Sequence, residues 1–167
     1  RFYNIRVEPT ATAFEDSIDW GVNKVNAEQV WGNAEGAVNV VSGRPAGAGV
    51  KVAIIDTGMD LNHPDLAANY VTGKDFVNND SSPDDDNGHG THVAGTIAAV
   101  DNGSGLVGMA PQASLYILKV LGANGSGSYT NVVKAIEWAT GLSGGTKVDI
   151  ISMSLGGPAD SSLQAAV

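Results

Sequence analysis

Two residues able to do acid–base chemistry stand in unusual settings. Asp56 closes the apolar run Val50-Lys51-Val52-Ala53-Ile54-Ile55 and is followed by Thr57-Gly58. His89 lies between Gly88 and Gly90 in the stretch from Asn87 to Ala99, NGHGTHVAGTIAA. A carboxylate that ends a buried strand is desolvated on one side, and a histidine at a nearby helix entrance can reach it. The carboxylate then holds the imidazole in one tautomer and stabilises the imidazolium that forms on proton uptake. The other ring nitrogen is left to activate a hydroxyl nucleophile. A lone histidine is more often a surface or core residue; its glycine frame and the segment upstream change that balance here.

Both residues need a scaffold to bring them together. His92, Val93, Thr96, Ile97 and Val100 follow helical spacing, which predicts a helix entering near His89 and buried along its length. Glycine inside a helix costs about 1 kcal/mol against alanine, so Gly90 and Gly95 imply close approach of another backbone. Two further apolar runs, Leu115–Val120 and Val148–Ile151, resemble the one ending at Asp56. Continuous apolar runs are typical of strands buried on both faces of a parallel sheet. A second helical pattern, Val132-Val133-Ile136-Trp138-Ala139, falls between them. Alternation of this kind predicts an α/β fold, a parallel sheet with helices on both faces. Sites in such sheets lie at the carboxyl ends of strands. Asp56, the segment Gly122–Gly127 and the segment Ser152–Gly157 should therefore share one edge. Earlier in the chain, Ile5–Glu8 and Val38–Val41 read as short strands and Trp20–Trp31 as a short surface helix.

Composition narrows the classes. The chain has 167 residues, 43% apolar and 16% charged, which describes one folded core rather than a disordered segment. Its net charge of −9, with no basic run, argues against nucleic-acid or anionic-membrane partners. Acidic residues grouped in loops suit divalent cations instead. Cysteine is absent, so disulfides and thiolate metal sites are excluded. No apolar run approaches the roughly 20 residues that span a bilayer, and Arg1-Phe2-Tyr3 leads into no signal-peptide core.

Asp-Thr-Gly after an apolar strand is equally the signature of an aspartic protease, whose site needs two such carboxylates. The chain contains one, so that alternative requires a dimer and leaves His89 unexplained. Taken together, Val52–Gly58, His63-Pro64-Asp65-Leu66, Asn87–Gly95 and Ser152–Gly157 resemble the subtilisin family of serine endopeptidases, from about Asp16 to the last residue. The resemblance implies Asp56 as the orienting acid and His89 as the general base, in the family's Asp, His, Ser order. It also implies that Gly125-Ser126-Gly127 and Ser154-Leu155-Gly156 flank an extended polypeptide substrate and pair with its backbone. Leu121, Tyr129, Val132 and Leu155 would line apolar subsites.

The same resemblance implies Ca²⁺. Asp65 with Val100, Asn102, Ser104 and Leu106 is similar to the family's strong site, and Asp16 falls where the family has an N-terminal ligand. A second candidate is the loop Asp75–Asp86, with Asp75, Asp80 and Asp84 as ligands, similar to thermitase-like members. Five carboxylates within 12 residues repel one another unless a cation is bound or the loop is solvated. His63 and His92 have no partners at zinc-like spacing and read as structural.

The resemblance is incomplete. The family's Gly-Thr-Ser-Met-Ala segment and its oxyanion asparagine do not occur. Ser154 belongs to the substrate edge. A domain of this kind usually needs about 200–250 residues. The expectation is therefore the N-terminal part of a catalytic domain over residues 15–167, inactive alone, partnered by a C-terminal segment that carries the serine. Residues 1–14 resemble the end of a propeptide, or else form an N-terminal extension, with Phe14–Glu15 as the processing bond. An exported, extracellular enzyme whose signal peptide is gone follows from the same resemblance. The rival reading is a non-catalytic fragment or pseudoenzyme that binds extended peptides.

Overall fold

The computed structural model describes residues 16–34, 38–141 and 147–167; the strand expected at 5–8 and the expected processing bond lie outside them. In chain order the elements are β1 (Asp16–Ile18), α1 (Trp20–Lys24), α2 (Ala27–Val30), β2 (Lys51–Asp56), β3 (Tyr70–Asp75), α3 (His89–Ala98), β4 (Gly105–Val107), β5 (Ser114–Lys119), α4 (Tyr129–Gly141), β6 (Ile150–Ser152) and α5 (Ser161–Ala166). Four strands form a parallel sheet in the order β3-β5-β2-β6, and β1 pairs with β4 in a separate two-stranded parallel ribbon. The α/β architecture expected from the apolar runs is the one observed.

Strand pleating sorts the side chains into two layers, because successive residues point to opposite faces. Val52 and Ile54 of β2, with Leu115 and Ile117 of β5, pack with Ala94 and Ala98 of α3. Ala53 and Ile55, with Tyr116 and Leu118, pack with Val132, Ala135, Ile136 and Ala139 of α4. Between their polar end residues both strands are therefore apolar on both faces, Val52–Ile55 and Leu115–Leu118, and no alternation is visible there.

Several local expectations are corrected. The segment 20–31 is two short helices, because Asn26 takes a left-handed conformation (φ 56°) that interrupts the turn. Its buried apolar residues are Val22, Ala27 and Trp31, whereas Val25 and Val30 are exposed. Residues 38–41 form no strand; the Val40 N–H donates to Asp101 Oδ2 instead. In α3 the buried stripe is Gly90, Ala94 and Ala98, with His92 and Thr96 exposed. Small residues spaced by four let this helix sit close to the sheet. Nothing approaches within 4 Å of the Cβ position at Gly95, so close backbone approach accounts for Gly90 alone.

Candidate active site

Pleating also places the acid. Asp56 shares the α3 face with Val52 and Ile54, two and four residues earlier, and α3 opens with His89 on that face. The helix start can reach the strand end only because both contacting residues are glycine. A Cβ at Gly90 would lie 2.1 Å from the Gly58 carbonyl oxygen, and one at Gly58 would lie 2.5 Å from that of Pro83. The result is a contact of 2.7 Å between His89 Nδ1 and Asp56 Oδ1. Asp56 is 1% exposed, and the His89 side chain is 49% exposed. Asp56 Oδ1 also accepts the Thr57 N–H at 2.7 Å, while Oδ2 is buried with no hydrogen-bond partner. A buried carboxylate satisfied on one oxygen gains from a cation beside it. Proton uptake by His89 supplies that cation in place, and the arrangement is that of a general base with its orienting acid.

Asp85 holds the base from behind, a role that nothing in its sequence neighbourhood announces. Its Oδ1 accepts the Thr57 hydroxyl and the N–H groups of Asn87 and Gly88; its Oδ2 accepts the Thr91 hydroxyl and N–H. Thr57 Oγ1 in turn accepts the Gly90 N–H at 2.8 Å. One carboxylate thus ties the loop before His89, the first turn of α3 and the residue after Asp56. Burial opposes its ionisation, but the bonds from the Thr91 hydroxyl and the Gly88, Thr91 and Asn87 N–H groups hold its carboxyl well below the usual carboxylate range.

In front of His89 lies a cleft of about 850 Å³. Its walls include Leu121, Gly125, Ser126, Gly127, Tyr129 and Val132 on one side, and Ser154, Leu155 and Gly156 on the other. Every residue expected to flank or line a substrate therefore borders one cleft with His89, at the carboxyl ends of β5 and β6. Neither wall is a regular strand; Leu121 and Gly127 form one isolated antiparallel bridge. The Tyr129 hydroxyl donates to the Pro158 carbonyl at 2.6 Å, joining the walls at one end.

A sequence model of the family described as "Subtilase family" matches residues 47–167. The chain belongs to the subtilase family. It is 48% identical over 153 residues to "Thermitase" of Thermoactinomyces vulgaris, which covers 90% of this chain and 50% of that protein. With "Intracellular serine protease" of Paenibacillus polymyxa the identity is 47% over 149 residues, 87% of this chain and 41% of the relative. With "Subtilisin DY" of Bacillus licheniformis it is 54% over 115 residues, 69% and 40% respectively. The chain thus spans half or less of the length of these curated relatives. No helix among the described residues is long and apolar enough to cross a membrane.

The expected cation ligands of this subtilase chain fall in two places. Asp16 and Asp65 are both buried, beside the loop 100–106. Asp16 Oδ2 accepts the Gly103 N–H at 2.7 Å, and its Oδ1 is buried without a partner. Burial, together with the neighbouring Asp101 carboxylate, raises the Asp16 pKa, against the lowering effect of the Gly103 N–H. Asp65 accepts Asn102 Nδ2 at 3.2 Å and the Leu106 N–H at 3.3 Å, and Asn102 Oδ1 accepts both the N–H and the hydroxyl of Ser104. The chain turns at Gly105 (φ 92°), where a Cβ would lie 2.2 Å from Asp65 Oδ2. Val100 enters this loop with its N–H bonded to the Asp65 carbonyl. An orphaned, buried carboxylate oxygen near a second buried carboxylate is a donor set suited to a hard cation.

The loop 75–86 behaves differently. Asp75 Oδ1 accepts the Val77 and Asn78 N–H groups, and its Oδ2 accepts Asn78 Nδ2. Asp80 accepts the Ser82 N–H, Asp84 the Ser82 hydroxyl, and Asp86 the ammonium of Lys119. Hydrogen-bond donors and a lysine offset much of the repulsion that the sequence suggests. Among the described residues no three His, Cys, Asp or Glu side chains group as a metal site. His63 Nδ1 accepts the Asp65 N–H at 3.2 Å, and His92 is exposed on α3.

Proposed function

We propose that the protein is a serine endopeptidase in which this chain supplies the acid, the base and much of the substrate cleft. The observation that carries the reading is the 2.7 Å contact between His89 Nδ1 and a buried Asp56, at the mouth of a cleft lined by two glycine-bearing walls. With Nδ1 committed to Asp56, Nε2 is the nitrogen that takes the proton from a serine hydroxyl. Asp56 fixes the tautomer and stabilises the imidazolium; His89 later returns the proton to the leaving amine. The serine and an oxyanion donor come from a polypeptide segment beyond Val167, in keeping with relatives about twice as long or more. The substrate is a polypeptide bound in extended form, its backbone paired with Gly125–Gly127 and Ser154–Gly156, its apolar side chains against Leu121, Tyr129, Val132 and Leu155.

Ca²⁺ belongs to the same reading. Asp16, Asp65 and Asn102, with the carbonyls of Val100, Ser104 and Leu106, would hold it. Bound there it supplies structural cross-linking between the start of the chain and the α3–β4 loop. Export and maturation at Phe14–Glu15 complete the proposal, against two relatives that are named as intracellular.

The deciding experiment treats the intact protein with a serine-directed phosphonyl or sulfonyl reagent and follows peptide hydrolysis. Stoichiometric loss of activity is expected, together with a loss on the order of 10⁴-fold or more in His89→Ala, a scale taken from measurements on related triads, subtilisin included. Indifference to the reagent, combined with inhibition by pepstatin-type compounds, would transfer the chemistry to the carboxylates.

A further inference from the structure

Lys119 interrupts the apolar run of β5 and is 1% exposed. Its ammonium has three donors and three acceptors: the Thr57 carbonyl at 2.5 Å, Asp86 Oδ1 at 2.6 Å and the Leu121 carbonyl at 3.0 Å. It is the register partner of Asp56 across β2 and β5, on the face that meets α3. The Asp56 carbonyl also accepts the N–H groups of both Val120 and Leu121. The chain leaving β5 for the cleft wall is thus bound at two successive residues to the end of the strand carrying the acid.

An ammonium in that position is a poor choice for stability alone. Its desolvation offsets much of what the ion pair returns, and an apolar side chain of similar size would fill the space without that cost. What an apolar residue could not do is hold two carbonyls and a carboxylate from three segments around one point. Those segments are Thr57, next to Asp56; Asp86, in the loop leading to His89; and Leu121, where the substrate wall begins.

We propose that Lys119 is a positioning residue that locks the Leu121 substrate edge to the Asp56–His89 pair, so that an extended peptide is presented in register with the base. The effect on turnover rests on the endopeptidase reading; the effect on the edge does not. Lys119→Met in the intact protein keeps an unbranched side chain one atom shorter and removes all three bonds. Amide exchange at Leu121 and Gly122, bonded to Asp56 and Ser126 carbonyls, should accelerate about tenfold, with Ile54 and Ile117 in the same sheet unchanged. Local opening of that kind is separable from global unfolding. The ratio of kcat/KM for an extended peptide to that for a single-residue ester should fall about tenfold.

Edge amides that keep their rate, or that accelerate only in step with Ile54 and Ile117, would overturn the proposal, as would an unchanged substrate ratio in an active enzyme. A wild-type protein that hydrolyses neither substrate would sink the endopeptidase reading and leave the exchange result to decide alone. Should K119M not fold, Asp86→Asn loosens the same ammonium from its exposed side. Acceleration of about threefold at the same two amides is then expected, and none would count against the proposal.

Discussion

Replacing Asp85 with asparagine changes one atom behind the base and tests how the site is held. In the folded chain Oδ1 accepts three hydrogen bonds and Oδ2 two. Asparagine can keep the Oδ1 set, but its amino group faces the Thr91 N–H, which loses its acceptor. A buried donor left unmade costs about 1–3 kcal/mol. The three remaining bonds become neutral and weaken to about half, while relief from burying a charge returns part of the loss. The expected net cost is about 3 kcal/mol, or roughly 6–12 °C in Tm for a domain of this size.

The pH dependence carries the sharper test. The folded-state pKa of Asp85 is depressed from an unfolded value of about 3.9, so the folded state binds fewer protons as pH falls. The stability that Asp85 contributes is complete above about pH 5 and is lost as pH drops through its folded-state value. The gap between wild type and Asp85→Asn, measured by urea unfolding, should therefore narrow from pH 5 to pH 3. Titration of every other group is common to both proteins and cancels. A gap below about 1 kcal/mol at pH 7, or one that stays constant or widens towards pH 3, would refute the assignment of Asp85 as the anchor of the α3 entrance.

Two more outcomes follow from the geometry. Gly90→Ala places a methyl 2.1 Å from the Gly58 carbonyl; the helix start must move, with about 1–3 kcal/mol lost in unfolding assays. A displacement near 1 Å costs about 10²-fold in turnover, so kcat should fall more than KM changes, and a kcat within threefold of wild type would contradict the fit. Chelation of Ca²⁺ should lower the Tm, through a loss of about 2.7 kcal/mol in stability if the ion stood at 100 times its Kd; Asp65→Ala should abolish that response, and a melting curve insensitive to chelator would exclude the cation.

The parts legible beforehand were those that announce themselves locally. β2 and β5 are apolar because both their faces are covered, and the Asp56, His89 and cleft-wall segments sit where strand ends and helix entrances must put them. β3 escaped notice because Tyr70–Asp75 lies at a sheet edge, exposes Val71 and Thr72 and carries no periodic signal. β1 and β4 are three residues each and exist by pairing with one another, which no window on either reveals. The face of α3 is legible only in part: Val93 and Ile97 do pack against the core, but His92 and Thr96 are exposed and the closest contact is made by glycine and alanine. Asp85 looks like its acidic neighbours until five donors converge on it. Lys119, a lone charge inside an apolar run, was a visible signal that the strand assignment absorbed.

The two faces of the sheet are filled by different means, and so they should fail in opposite ways. On the α3 side the fully buried helix positions are Gly90, Ala94 and Ala98, with almost nothing left to remove, and the larger Val93 and Ile97 pack there only partly buried. Substitution at those three positions can only overfill, pushing outward the helix that carries His89. Against α4 the helix offers Val132 and Ile136 beside two alanines, and trimming those leaves cavities that the sheet can partly close. Random variation would thus erode stability gradually from the α4 side and abolish activity abruptly from the α3 side. A thermostability programme has room to work on one layer of this molecule and almost none on the other.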